Sequence, residues 1–116
     1  MRSPRKSRIV LGVTGGIAAY KACELTRLFK KAGHEVRVVM SANAERFVGP
    51  LTFHSLSGEP VLRSLHSGDY DLSATSHIDL AQWGDLLVVA PATANFLAKL
   101  ACGIADDALL VESLAF

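Results

Sequence analysis

One uninterrupted apolar run, and the glycines that stop it, constrain this chain more than any other feature. Arg8-Ile-Val-Leu-Gly-Val13 is apolar almost throughout, the pattern of a strand covered on both faces in a parallel sheet. Thr14-Gly15-Gly16 breaks the run, and from Ile17 to Ala32 the apolar residues recur at helical spacing. Ile17, Ala18, Cys23, Leu25, Leu28, Phe29 and Ala32 form one face, with Lys21, Glu24, Arg27, Lys30 and Lys31 on the other. Gly33 stops the helix behind two basic residues that complement its dipole. Glu35 to Met40 then reads as a second strand. Strand, glycine turn, helix and strand make a right-handed βαβ crossover.

This unit sets the expected fold class as α/β. The expected form is a three-layer Rossmann-like (flavodoxin-like) open parallel sheet with helices on both faces. Gly49-Pro50 and Gly58-Glu59-Pro60 bracket a short helix over Leu51 to Leu56, and Val61 to Leu65 is a third strand. Ser67 to Ser76 reads as a mobile polar loop, and Ile78 to Trp83 as a short helix ending at Gly84. Asp85 to Ala90 is the clearest buried strand after the first. Pro91 ends it, and a helix follows over Ala94 to Ala101.

Residues 1–7, with Arg2, Arg5 and Lys6 beside Ser3 and Pro4, read as a disordered basic tail, leaving 8–116 as one domain. Half of the 116 residues are apolar and the formal charge is only +1. That balance gives no footprint for a nucleic-acid or membrane partner. Cys23 and Cys102 sit in apolar helical context and read as small buried hydrophobes in a reducing, cytoplasmic compartment. No histidine or cysteine pair has metal-ligand spacing, so no metal site is expected.

The glycine turn matches neither the dinucleotide fingerprint nor the P-loop pattern. Its physics still suits an anion: Gly15 and Gly16 let the backbone approach, and the first amides of the helix point outward. A tight turn with no ligand fits the same residues, and the turn alone does not choose. The second strand ends in Met40-Ser41-Ala42-Asn43, hydroxyl and amide where a dinucleotide site places a carboxylate for ribose. That favours a monophosphate, although Ser41 and Asn43 serve equally as helix caps before Ala44 to Val48. Pro91-Ala92-Thr93-Ala94-Asn95 lies at another carboxyl edge of the sheet. Its small residues can approach a flat ring, and Thr93 can equally be an N-cap. His77, in a polar loop before a short helix, suits proton transfer or a capping position at the surface. His34, His54 and His66 read as surface or turn residues.

Seven stretches carry a resemblance. They are Leu11-Gly-Val-Thr-Gly-Gly-Ile-Ala-Ala-Tyr-Lys21, Val36-Arg-Val-Val-Met-Ser41, Arg46-Phe47 with Pro50-Leu-Thr-Phe53, Leu56-Ser-Gly58, Ser76-His-Ile-Asp-Leu80, Ala90-Pro-Ala-Thr-Ala-Asn95 and Gly103-Ile-Ala-Asp-Asp107. In this order the chain resembles the flavin-containing cysteine decarboxylases. The resemblance implies FMN held by Gly15, Gly16, Ile17, Ser41, Asn43, Phe53, Ala92, Thr93, Ala94 and Asn95, with His77 as the active-site histidine. It implies decarboxylation of 4′-phosphopantothenoylcysteine to 4′-phosphopantetheine in coenzyme A biosynthesis, through a thioaldehyde and then an enethiolate. It also implies a homotrimer, or a dodecamer built of trimers, with flavin at the subunit interface.

The family's chains continue with a Pro-x-Met-Asn motif, whose asparagine holds the substrate carboxylate, and with a cysteine that completes the reduction. Neither motif occurs here, and Cys102 does not match that cysteine. The flavin domain is therefore expected to be incomplete at its C-terminus. A non-catalytic or regulatory FMN-binding flavoprotein and a peptidyl-cysteine decarboxylase are the alternative readings.

Overall fold

The computed structural model describes residues 6–63 and 74–116, with backbone alone for 74–76. Strand β1 (Arg8–Val13) lies inside the sheet. It pairs in parallel with β2 (Glu35–Met40) on one side and β4 (Leu86–Val89) on the other. Leu11 stands opposite both Val38 and Val88. A short β3 (Leu62–Arg63) borders β2, so the order is β3-β2-β1-β4, all parallel. The expected third strand reached Leu65, whose last two positions lie outside the described residues. The helices are α1 (Ala19–Lys31), α2 (Pro50–Ser57), α3 (Ala74–Trp83), α4 (Ala94–Ala101) and α5 (Ala108–Ala115), with a 3₁₀ turn over Asn43–Arg46.

Alternation along the strands sorts the core into two layers, because successive side chains point to opposite faces. Leu11, Val13, Val36, Val38 and Met40 pack with Ala19 and Ala22 of α1 and Phe53 of α2. Val10, Val39 and Leu62 pack with Leu80 of α3, Phe96 of α4, and Ala108, Leu109 and Leu110 of α5. Both faces of the sheet are thus covered, as expected of a doubly wound fold. Gly12 has a packing reason. A Cβ there would fall against Leu109, 3.2 Å from its Cδ2, and 3.3 Å from Val89 Cγ2, so its absence lets α5 seat directly on β1.

The structure departs from the sequence reading in several places. Helix α1 starts at Ala19 and buries Ala19, Ala22 and Thr26, whereas Ile17 is 83% exposed and Leu28 is also exposed. Small residues let the helix approach the sheet closely, so they take the inner stripe. Strand β4 is only half-buried, with Leu86 exposed, because among the described residues it has a neighbour on one side alone. The short helix expected at Ile78 begins at Ala74 and takes in the end of the expected loop, whose residues 67–73 lie outside the described residues. Cys23 is half-buried, and burial raises its thiol pKa. Cys102 is exposed at the end of α4 rather than buried. Of the expected tail, residues 1–5 lie outside the described residues. Ser7 is already tied down, donating its N–H to His34 Nδ1 at 3.1 Å and accepting from Glu35 N–H at 3.0 Å. His54 is exposed as expected, and His66 lies outside the described residues. Helix α5 was not foreseen at all.

Candidate functional site

Strand order reverses direction around β1: β2 lies to one side, and β4, reached later in the chain, to the other. The crevice beyond the carboxyl ends of such strands is where open α/β sheets bind ligands. A cleft of about 140 Å³ opens there, lined by Thr14, Gly15, Ser41, Asn43, Thr93, Asn95, Phe96, Asp107 and Leu110. The ends of β1, β2 and β4 and the start of α5 thus meet in one place. The cleft suits a phosphoryl-sized group rather than a whole drug-sized ligand, which takes several hundred Å³ (~300 or more).

Its walls are tied together through Thr14. The Thr14 hydroxyl donates to the Pro91 carbonyl and accepts from Thr93 N–H at 3.1 Å, while Thr14 N–H also donates to Pro91 O at 3.3 Å. Thr93 caps α4, its Oγ1 accepting from Phe96 N–H at 3.1 Å. Ser41 Oγ accepts from Ala44 N–H at 3.2 Å and so opens the 3₁₀ turn that carries Asn43. The capping role raised from the sequence for Thr93 is therefore real. The N-cap of the 3₁₀ turn is instead Ala42, with Ser41 bracing it from one residue earlier and Asn43 inside the turn. These roles coexist with positions in the cleft wall.

The glycine turn is the part shaped for an anion. A Cβ on Gly15 would lie 2.7 Å from both Cβ and Cγ of Asn43, so only glycine lets these two walls close. Gly16 faces open space. Ala18 is the N-cap of α1, and no side chain caps the helix there. Among the described residues, the N–H groups of Gly15, Gly16, Ile17 and Ala18 donate to no acceptor. Unpaired amides at a helix start carry partial positive charge and bind phosphate well.

Asp107 brings the opposite sign to the same cleft. Its Oδ1 accepts from Leu110 N–H at 2.9 Å and caps α5, which leaves a carboxylate beside the space an anion would occupy. Asp107→Asn keeps a capping oxygen and removes that charge. Affinity for a phosphorylated ligand is expected to rise about 3- to 10-fold at low salt, with the gain shrinking as salt screens it. Titration calorimetry at two ionic strengths measures this, and an equal or weaker affinity at low salt contradicts it.

Of the residues expected at a cofactor, the cleft gathers Gly15, Ser41, Asn43, Thr93 and Asn95. Gly16, Ile17, Ala92 and Ala94 flank it in sequence, with Ile17, Ala92 and Ala94 exposed. Phe53 is fully buried in the core between α1 and β2. His77 is not in a loop: it lies within α3 and is only 7% exposed. Its Nδ1 is 3.5 Å from Oε1 of Glu112 on α5, a residue fully buried and not singled out in the sequence. Burial lowers the His77 pKa, so near neutral pH the ring is uncharged and able to accept a proton. Burial pushes the Glu112 carboxyl up to about 7. Asp107 followed by Ala-Leu-Leu-Val111 is the N-cap signal that announces α5 and so leads to Glu112.

A sequence profile of the Flavoprotein family matches residues 1–115. The coenzyme A biosynthesis bifunctional protein CoaBC of Haemophilus influenzae is 50% identical over 107 residues, covering 92% of this chain and 26% of that protein. The protein of the same name from Bacillus subtilis is 51% identical, with the same coverage. The chain thus spans about a quarter of the length of these curated relatives. Among solved structures, the FMN-dependent cysteine decarboxylase SpaF superposes with a TM-score of 0.80 at 35% identity, covering 94% of this chain and 62% of that one. HAL3 from Cryptococcus neoformans superposes with a TM-score of 0.69 at 30% identity, covering 94% and 63%.

Proposed function

This chain belongs to the Flavoprotein family, and from that premise we propose that it binds FMN and serves the decarboxylation of 4′-phosphopantothenoylcysteine to 4′-phosphopantetheine. The observation that carries the cofactor is the convergence of Gly15, Ser41, Asn43, Thr93 and Asn95 on one phosphate-sized cleft at the reversal point of the sheet. The similarity to CoaBC proteins and to the cysteine decarboxylase SpaF supports the reaction class and the coenzyme A context.

The residues fit a flavin mononucleotide at its phosphate end. The Gly15 backbone closes on Asn43 where any side chain would intrude, and the start of α1 presents amides without a competing cap. Gly15, Gly16 and Ile17 hold the dianion through the backbone, while Ser41, Asn43, Thr93 and Asn95 add hydroxyl and amide contacts around it. Ala92 and Ala94 are small enough to let a flat ring lie close. When bound, the flavin supplies two-electron oxidation and re-reduction at the substrate's thiol-bearing carbon. The chain's own part is to bind, orient and move protons. His77, uncharged near neutral pH, takes and returns a proton at the thiol end of the substrate.

Assembly as a homotrimer is part of the proposal. An apolar groove of about 640 Å³ runs along α1 beside Ala90 and Pro91, lined by Ala18, Tyr20, Ala22, Leu25 and Leu28 among others. Exposed apolar surface of this kind marks an association site. A cytoplasmic location accords with the two free cysteines, Cys23 and Cys102.

Titrating the purified protein with FMN tests the cofactor. Saturable quenching of flavin fluorescence with one flavin per chain is expected. A protein that stays colourless and leaves the fluorescence unchanged overturns the reading. Mass-loss assays on 4′-phosphopantothenoylcysteine and on a peptide ending in cysteine then decide the substrate, and native mass decides the assembly.

A further inference from the structure

The packing of α3 against α5 buries two ionisable side chains side by side. His77 Nδ1 and Glu112 Oε1 are 3.5 Å apart. Among the described residues, Nδ1 and both Glu112 carboxyl oxygens are sealed from solvent without a hydrogen-bond partner. Glu112 follows Ala108, Leu109 and Leu110 on the buried side of α5, in a setting where an apolar side chain would pack without cost. A buried carboxyl with nothing to bond is expensive. Across the helix contact stands the imidazole, 3.5 Å away, and a small rotation of either side chain turns that distance into a hydrogen bond.

We propose that Glu112 is a positioning residue for His77, accepting the Nδ1–H hydrogen bond and thereby leaving the ring's lone pair on Nε2. An imidazole has one proton for two nitrogens, and the partner of one nitrogen decides the state of the other. With Glu112 as carboxylate, Nδ1 keeps the proton and Nε2 is the base. When Nε2 takes a proton from a thiol or from water, the ring becomes imidazolium, and the adjacent carboxylate offsets its charge until Nε2 gives the proton up. With Glu112 as carboxylic acid, its O–H donates to Nδ1, the ring proton sits on Nε2, and the ring can no longer accept there. Burial moves each group toward its neutral form, so the carboxylate arrangement prevails above about pH 7 and the carboxylic-acid arrangement below it. The catalytic meaning of His77 rests on the reading given above, whereas the placement of its proton is a property of this chain alone.

Nitrogen-15 NMR of the histidine rings in the flavin-free protein tests this, at about pH 8.5, above the titration of a buried carboxyl. H77N identifies the His77 signals among the four histidines. In the native protein, Nδ1 is expected to carry the proton and Nε2 the lone pair. In E112L no side-chain acceptor is left for Nδ1–H, and the proton is expected to move to Nε2. A native protein with the proton on Nε2 overturns the proposal, as does an E112L protein with an unchanged tautomer. If E112L does not fold, the native spectrum alone decides. The functional reading fails separately: full decarboxylation by H77N would remove the role of the histidine while leaving the tautomer result intact.

Discussion

Glu112→Leu is expected to stabilise this protein, and to do so far more above neutral pH than below it. The folded carboxyl titrates near 7 and is fully buried, whereas in the unfolded chain it titrates as an ordinary glutamate, near about 4.3. Between these values the folded state holds a proton that the unfolded state has released. Stability therefore falls as pH rises through this window and stays low above it. The full loss is on the order of 3 to 4 kcal/mol, of which roughly 2 to 3 falls between about pH 5 and pH 8. His77 works in the opposite sense. Its folded pKa is lowered, so its contribution is lost as pH falls below about 6.5, and at least as much in the variant, which has no carboxylate beside the ring. Leucine removes the Glu112 loss and fills the same space in the α3–α5 contact. The thermal midpoint of Glu112→Leu should exceed that of the native protein by roughly 8 °C more at about pH 8 than at about pH 5. Circular dichroism melts at the two pH values measure it, and an equal gain at both would show that the carboxyl is not buried in its charged form. The same substitution should impair any proton transfer by His77, a trade of stability against function common at reactive sites.

The second large effect is expected at Gly15. Replacement by alanine puts a methyl group within 2.7 Å of Asn43 Cβ and Cγ, which flipping the amide cannot relieve. The turn after β2 must then move away from the turn after β1, and the cleft loses its closed wall. Affinity for FMN should fall about 100-fold, equivalent to roughly 3 kcal/mol. Gly16→Ala is the control, since nothing lies within 4 Å of its added carbon, and it should melt at the native temperature. Fluorescence titration of the two variants side by side reads the outcome. Affinity within about 3-fold of native for Gly15→Ala would show that the phosphate is held elsewhere.

The sheet and its phosphate turn were legible because they are written in short-range pattern. Ile9 to Val13 is apolar on both faces, Val36, Val38, Val39 and Met40 are buried, and Gly15-Gly16 stands where a strand must give way to a helix. What the pattern could not supply depends on neighbours. The run Leu86 to Val89 looks as apolar as β1, yet its half-exposed state follows from its place at the edge of the order β3-β2-β1-β4. In α1 the close approach of helix to sheet puts Ala19, Ala22 and Thr26 innermost, with Cys23, Leu25 and Phe29 of the expected face packed beside them and Ile17 and Leu28 left exposed. His77 read as a loop residue because the helix holding it starts in a stretch without strong apolar period. Glu112 is the clearest case. One carboxylate in a short apolar helix reads as its wet side, and only the docking of α3 across α5 turns it inward. The cofactor residues divide along the same line: those at strand ends meet in the cleft, while Phe53, named by resemblance alone, is buried in the core.

The bridge made by the Thr14 hydroxyl, from the Pro91 carbonyl to the Thr93 amide, has a kinetic corollary. Two turns that arrive from distant parts of the chain are held together by the protein's own hydrogen bonds, so little ordering is left for a guest to bring about. Capture of a nucleotide monophosphate should then be governed by encounter rather than by rearrangement. Discrimination between guests would fall to how long each one stays.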